Sequence, residues 1–191
     1  MDNETKNVKC QSPNGQSYQG EWKDDKPNGG GRMEFSNQDL YQGEWKNGLM
    51  DGVGMYRFYD AKKDEFVATY EGQFLEGKMH GVGRMTFPNH TFYVGQWQED
   101  KRVGNGFATF SNGDSFQGLW KANEMMRGVY ALSNGDRYDG ELSNGKFNGY
   151  GKYFFVDGKW YDGEWEDGAM TKGMIYSPDG HMKEVVDGKI L

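Results

Sequence analysis

The 191-residue chain has one cysteine, four prolines and three histidines. A lone Cys10 permits no internal disulfide and no cysteine metal site, which fits a reducing compartment, the cytosol. Four prolines without a three-residue period exclude a collagen helix. No apolar run approaches the ~18 residues of a membrane span, and the polar start, Met1 to Asn7, predicts no secretory signal. Basic residues are short too: 22 against 29 acids, a net charge of −7. Binding through phosphates needs a basic excess or a dense basic patch, so no nucleic acid partner is expected. The same deficit disfavours an acidic membrane surface. Only 35% of the residues are hydrophobic, and the mean hydropathy is −0.95.

What the chain has instead is glycine and aromatics. There are 30 glycines, 12 phenylalanines, 12 tyrosines and 6 tryptophans. Disordered chains are poor in aromatics, so the polarity does not mean disorder. The aromatics recur in a phrase. Tyr18-Gln19-Gly20-Glu21-Trp22 returns from Tyr41, Tyr70, Tyr93, Phe116, Tyr138 and Tyr161, at spacings of 23, 29, 23, 23, 22 and 23 residues. Self-similarity at one period marks a repeat array. Seven and nine residues after the Trp slot come glycines, as at Gly29 and Gly31 or Gly52 and Gly54. The fifth and seventh repeats lose one residue and keep only Gly128 or Gly173. Turn pairs such as Asn112-Gly113, Asn134-Gly135 and Asp157-Gly158 close each period, and they are strong hairpin signals.

Within a repeat the apolar period is 2, as in strands, and no segment shows a helical period. The expected architecture is all-β: a long single-layer antiparallel meander of about fifteen short strands. At about 4.8 Å per strand it spans roughly 70 Å, and it must twist and curl around an aromatic-lined groove. In the expected register Trp22 lies opposite Gly31, so that glycine makes room for the indole. The same register sets Glu21 against Arg32, Gln73 against Arg84, Glu141 against Lys152 and Leu119 near Val129. The expected organisation is an N-terminal cap strand over 1–11, the array over 12–186 and a tail over 187–191. The extra residues around Asp60–Thr69 are expected to lengthen a hairpin turn. Met182 to Val186 is expected to close the array, with Lys183 where the anchor tyrosine would stand.

The phrase Tyr-x-Gly-Glu-Trp-x-x-Gly-x-x-x-Gly-x-Gly, matched position by position through Lys46-Asn47-Gly48-Leu49-Met50-Asp51-Gly52-Val53-Gly54, resembles the MORN repeat family from about Ser12 to Val186. The resemblance implies an extended antiparallel sheet with an aromatic groove. It also implies a non-catalytic adaptor or scaffold, often cytoskeletal, ciliary or cortical. Phosphoinositide binding has been proposed for some members, protein binding is better supported, and several members dimerise. Departures are Leu142 and Phe74 for Trp, and Arg127 and Lys172 near expected glycines; the twist should change at the shortened repeats.

Three sets of candidate residues follow. The aromatic face, with Tyr41, Trp45, Tyr56, Tyr70, Tyr93, Trp97, Phe116, Trp120 and Tyr138, is either pure core or a core that doubles as a groove for an amphipathic helix or extended peptide. A row five residues after the Trp slot, with Met50, Met79, Met125, Phe147 and Met170, is a candidate rim, since methionine adapts to varied partners. Val94, Phe107, Leu119 and Val129 stand where other repeats are polar and form a candidate convex patch. Catalytic chemistry is not expected. The three histidines share no ligand spacing, Gly52-x-Gly54 opens no helix and so cradles no phosphate, and the Asp-Gly turns do not match a calcium loop. No metal or cofactor is expected. The leading expectation is a cytoplasmic protein-binding adaptor. A lipid tether and a regulatory subunit of a separate enzyme are the alternatives, and a homodimer stays open.

Overall fold

Each repeat folds as a hairpin because its two period-2 runs flank a tight turn whose residues accept a left-handed backbone, such as Asn47 and Gly48. The protein is described by a computed structural model over residues 5–191; the first four residues of the expected cap strand lie outside the described residues. No helix occurs among the described residues. The chain divides into two compact units, one up to Lys101 and one from Arg102.

The first unit holds β1 (Lys6–Gln11), β2 (Ser17–Lys23), β3 (Lys26–Glu34), β4 (Leu40–Lys46), β5 (Leu49–Asp60), β6 (Glu65–Leu75), β7 (Lys78–Thr86) and β8 (Phe92–Gln98). The second holds β9 (Lys101–Thr109), β10 (Ser115–Lys121), β11 (Glu124–Ala131), β12 (Arg137–Ser143), β13 (Lys146–Phe154), β14 (Trp160–Glu166), β15 (Ala169–Tyr176), β16 (Met182–Val186) and β17 (Lys189–Ile190). In both, each strand pairs antiparallel with the next in sequence. The all-β meander is therefore present, with seventeen strands rather than fifteen.

The register differs from the expected one. Trp22 pairs with Pro27, not Gly31, and Gly31 pairs with Gly20. Arg32 faces Gln19, Arg84 faces Glu71, Lys152 faces Asp139 and Val129 faces Gln117. The hairpin also carries a bulge. Between Gly20 and Trp22 β2 advances two residues while β3, from Pro27 to Gly31, advances four. The surplus sits at the first glycine of each pair. On both sides of it the observed pairing is offset by an even number of residues from the expected one, so each side chain keeps its face.

The bulge explains two recurring slots of the repeat at once. Its exposed amide is taken by the anchor acid or amide: Glu21 Oε1 accepts from Gly30 N at 3.0 Å, Glu44 Oε2 from Val53 N at 3.1 Å and Gln73 Oε1 from Val82 N at 2.9 Å. Gly52 has φ +109°, and a Cβ there would meet the Glu44 carboxylate. The second glycine serves the tyrosine. A Cβ on Gly54 would stand 2.4 Å from Tyr41 Oη and 2.5 Å from its ring. The ring thus lies flat over a row of glycines that crosses the strands, Gly43, Gly54, Gly72 and Gly83 among them.

The tryptophan slot contacts its neighbours on both sides. Trp45 pairs with Met50 in its own hairpin and with Gly29 of the preceding repeat, and its Nε1 donates to Gly31 O at 3.2 Å. Trp97 and Trp165 do the same to Gly83 O and Gly151 O, both at 3.1 Å. At the hairpin tips, Gly48 N donates to Pro27 O and Gly77 N to Met50 O, which hooks each turn onto the repeat before it. The extra residues of the second repeat lengthen strands rather than a turn: β5 reaches Asp60, β6 starts at Glu65, and only four residues link them.

Candidate functional site

One face of each sheet carries the core. In the first unit Tyr18, Tyr41 and Tyr70 each meet a tryptophan or phenylalanine of their own repeat and another of the next. Tyr41 lies edge-on to Trp45 at 5.0 Å and to Phe74 at 5.1 Å, and Tyr70 to Phe74 at 5.1 Å and Trp97 at 5.3 Å. Such edge-to-face pairs add about 0.5–1.5 kcal/mol each beyond burial. In the second unit Tyr138 meets Trp165 at 5.3 Å and stacks on Phe147 at 3.9 Å, which replaces the ring that Leu142 lacks. Every anchor tyrosine hydroxyl donates to the carbonyl three residues on, as Tyr41 does to Glu44 O at 2.9 Å and Tyr138 to Glu141 O at 2.7 Å. Burial, backed by the nearby Glu21 and Glu141 carboxylates, pushes the phenols of Tyr18 and Tyr138 up to about 12, and burial holds those of Tyr41 and Tyr70 higher still.

This packing revises the expected groove. Tyr41, Tyr70, Phe116 and Tyr138 have no exposed surface, and Trp45, Tyr93, Trp97 and Trp120 are buried. Eight of the nine expected groove residues are core, because neighbouring repeats close over them without a second layer. Only Tyr56 is half-buried.

The ring surface open to solvent belongs to a second line beside this ladder. In the first unit Phe35 lies 5.7 Å from Tyr56, which lies 4.6 Å from Phe58. In the second unit Phe110, Tyr130, Phe147, Tyr153 and Phe155 follow one another at 5.7, 5.8, 6.1 and 4.7 Å. All are half-buried. So are Met50, Met79, Met125 and Met170 of the candidate rim, each paired with the Trp-slot residue of its own hairpin.

A turn motif that the sequence reading missed positions the second line. Asp39 is 7% exposed and Asp114 8%. Asp39 accepts from Asn37 Nδ2 and from the Tyr56 hydroxyl, both at 2.7 Å, and from Tyr59 N at 2.7 Å. Asp114 repeats this with Asn112, Tyr130 and Ser133 N, and Asp136 with Asn134, Tyr153 and Val156 N. The signal was present as Asn-x-Asp in three turns, followed 16 or 17 residues later by tyrosine. Burial raises the Asp114 pKa, but the donors from Ser133, Tyr130 and Asn112 outweigh it and hold the carboxyl below the ordinary range. At Asp136 the Tyr153 hydroxyl is the main cause of the same lowering. Burial, then the aspartate bond, raises Tyr130 to about 12 and Tyr56 and Tyr153 further.

The opposite face is polar and holds the remaining candidates. Val94, 36% exposed, pairs with Arg84 in the first unit. In the second unit Leu119 is 48% exposed, and Phe107 and Val129 flank Gln117 across the strands. Phe107 and Val129 line an open cavity of about 580 Å³ floored by Gly106, Gly118 and Gly128. The glycines carry no side chains, so this spot of the face is recessed between flanking residues. No cluster of three or more His, Cys, Asp or Glu able to hold a metal occurs among the described residues.

A family description of the MORN repeat matches residues 18–40, 41–61, 70–92, 93–115, 116–137, 138–160 and 161–182. The chain is a MORN repeat protein. No curated protein matches its sequence. Among solved structures, the MORN array is similar to the G-box domain of the microcephaly protein CPAP, at 16% identity over 97% of each chain with a TM-score of 0.54. That likeness concerns the fold alone. Weaker matches are the Drosophila melanogaster SAS-4 (dCPAP) TCP domain, solved with a proline-rich motif of Ana2 (dSTIL), and the Danio rerio CPAP TCP10 domain, solved with a STIL peptide. Both are 13% identical; the first covers 95% of this chain and 90% of that one at a TM-score of 0.39, the second 98% and 96% at 0.34. Superpositions that loose carry no argument.

Proposed function

We propose that this MORN array is a non-enzymatic adaptor that holds a segment of a partner protein along the half-buried second line of its aromatic face. The observation that carries the reading is the unbroken strip Phe110, Tyr130, Phe147, Tyr153 and Phe155. Its rings keep accessible faces beside a ladder that is closed to solvent. Aromatic anchors on a rigid frame are the usual hot spots of an interface, and the methionine rim lets an amphipathic helix or extended peptide settle against it. Tyr56 and the five rim residues keep their proposed partner role; the other eight aromatics of the expected groove support the strip from beneath. The family resemblance favours a cytoplasmic site of action at the cytoskeleton, a cilium or the cell cortex.

The test is capture from lysate of the source organism with mass spectrometry, using the wild type and a Phe110→Ser, Phe155→Ser variant. Both positions lie outside the Tyr–Trp ladder, so circular dichroism should keep the wild-type signature, with a lower melting temperature from the two lost half-buried rings. A stoichiometric protein lost only in the variant supports the adaptor. Equal capture by both proteins, or recovery of lipid without protein, overturns it.

A further inference from the structure

The second unit fills the space beside each turn with a tyrosine ring, except in the seventh repeat. Tyr130 reaches Asp114 and packs on Phe110, and Tyr153 reaches Asp136. In the next repeat the corresponding turn is Asp157-Gly158-Lys159, with lysine in the aspartate slot, and Ile175 stands in the tyrosine slot. Isoleucine has neither the reach nor the hydroxyl of tyrosine, and Lys159 turns back to Asp157 at 2.8 Å. The anchor slot of the following strand is also changed: Lys183, not tyrosine, pairs with Ile175. The result is an open cavity of about 450 Å³ walled by Phe155, Met170, Ile175 and Ile190, with Lys159, Lys183 and the Asp157 carboxylate also lining it. That volume lies in the range of ligand sites, roughly 300–1,000 Å³.

We propose that this cavity receives one aromatic side chain of a partner segment whose flanking residues are acidic. The ring takes the place that Tyr130 and Tyr153 fill in their own repeats. The acids meet Lys183, which is exposed and forms no ion pair among the described residues, and Lys159, whose pairing with Asp157 is exposed and exchangeable. The repeat pattern thus specifies an aromatic ring, and the reversal from aspartate to lysine at the turn specifies the charge beside it. The site stands whether or not a partner lies along the strip toward Phe110.

The chain has two isoleucines, Ile175 and Ile190, and both wall the cavity. Selective methyl labelling of isoleucine therefore gives a two-signal spectrum that reports on this place alone. The probe is the blocked tripeptide Glu-Trp-Glu, with Lys-Trp-Lys and Glu-Ala-Glu as controls. Both methyl signals should shift saturably with Glu-Trp-Glu. They should respond about fivefold more weakly to Lys-Trp-Lys, as expected for loss of exposed ion pairs, and not at all to Glu-Ala-Glu. The variant Ile175→Tyr with Lys159→Asp installs the pair found at Tyr153 and Asp136. It should melt no lower than wild type, and its Ile190 methyl should ignore the peptide. In Lys183→Glu, an exposed change that keeps the fold, the preference should turn toward Lys-Trp-Lys. The proposal is overturned if the wild-type methyls do not move, if the lysine-flanked peptide binds as well, or if Ile190 responds equally in the filled variant. Shifts that follow protein concentration without peptide would assign the cavity to a second copy of the chain and overturn it as well.

Discussion

Replacing Gly83 by alanine tests why the repeat needs its second glycine. Gly83 has no left-handed backbone, so the cost is purely one of space. A Cβ there would stand 2.2 Å from Tyr70 Oη, 2.4 Å from Cζ and 2.5 Å from Cε2. The ring cannot step aside easily. It is fully buried, held edge-on between Phe74 and Trp97, and its hydroxyl donates to Gln73 O at 2.9 Å. Overpacking a filled core costs about 1–3 kcal/mol, and loss of the hydroxyl bond adds about 0.5–1.5 kcal/mol. Alanine returns about 0.4–1 kcal/mol by restricting the unfolded chain. The net expectation is about 0.5–4 kcal/mol, or a fall in melting temperature of about 1–16 °C for a chain of this size. Thermal and urea unfolding of Gly83→Ala, alone and in a Tyr70→Leu background, measure it. Without the phenol the alanine should cost nothing or stabilise. A cost within about 0.5 kcal/mol of zero in the wild-type background, or the same cost in both backgrounds, refutes the stacking of tyrosine over glycine.

The remaining predictions concern pH and one hydrogen bond. Asp114 and Asp136 have folded-state pKa values below the ordinary one, so their contribution is complete above about pH 4 and disappears as pH falls through the lowered values. Melting temperature should drop below pH 4, and Asp114→Asn with Asp136→Asn should flatten that drop. The buried tyrosines are raised instead, the anchors Tyr18 and Tyr138 and the second-line Tyr130 to about 12. Their contribution is whole below the ordinary phenol value near 10 and is lost as pH rises through the folded values, so tyrosinate absorbance should appear cooperatively with unfolding rather than as a simple titration. Trp45→Phe removes the donor to Gly31 O and should cost about 0.5–1.5 kcal/mol by denaturant melt; Phe74 shows that the ring alone fits this slot.

Much of the fold was legible because the information is periodic. Seven anchors and their Asn-Gly and Asp-Gly turns fix the hairpins, and the single glycines Gly128 and Gly173 point to the two shortened repeats. There the bulge has one surplus residue instead of two: between Leu119 and Trp120 β10 advances one residue while β11, from Met125 to Arg127, advances two. The register was not legible from strand alternation. A bulge of two keeps every side chain on its proper face, so the pattern of inward and outward residues is the same with or without it. The anchor glutamate was misread because a register shifted by two looks the same in that pattern. It looked like a partner for Arg32, whereas its carboxylate takes a bulge amide at Gly30. Burial was the other limit. The sequence names the rings of a single-layer sheet but not how far neighbouring repeats close over them, and Tyr41 and Tyr70 are sealed by residues 33 and 27 positions away.

That sealing separates two jobs that the aromatic content could have merged. A ladder tyrosine is completed by the ring of the next repeat, so folding requires the anchor phrase in each repeat and leaves little of it to show to a partner. The second line is free of that demand. Its tyrosines are fixed by an aspartate in the preceding turn, at Asp39, Asp114 and Asp136, and where the aspartate is missing the slot holds something else, Met33 after Gln16 and Ile175 after Lys159. Exchanging such a turn-and-strand pair alters which rings and charges the face presents while the ladder beneath stays closed. Changes of partner in arrays of this kind should therefore appear as paired substitutions at the turn aspartate and the tyrosine 16 or 17 residues beyond it. Substitutions in the anchor phrase should appear as losses of stability.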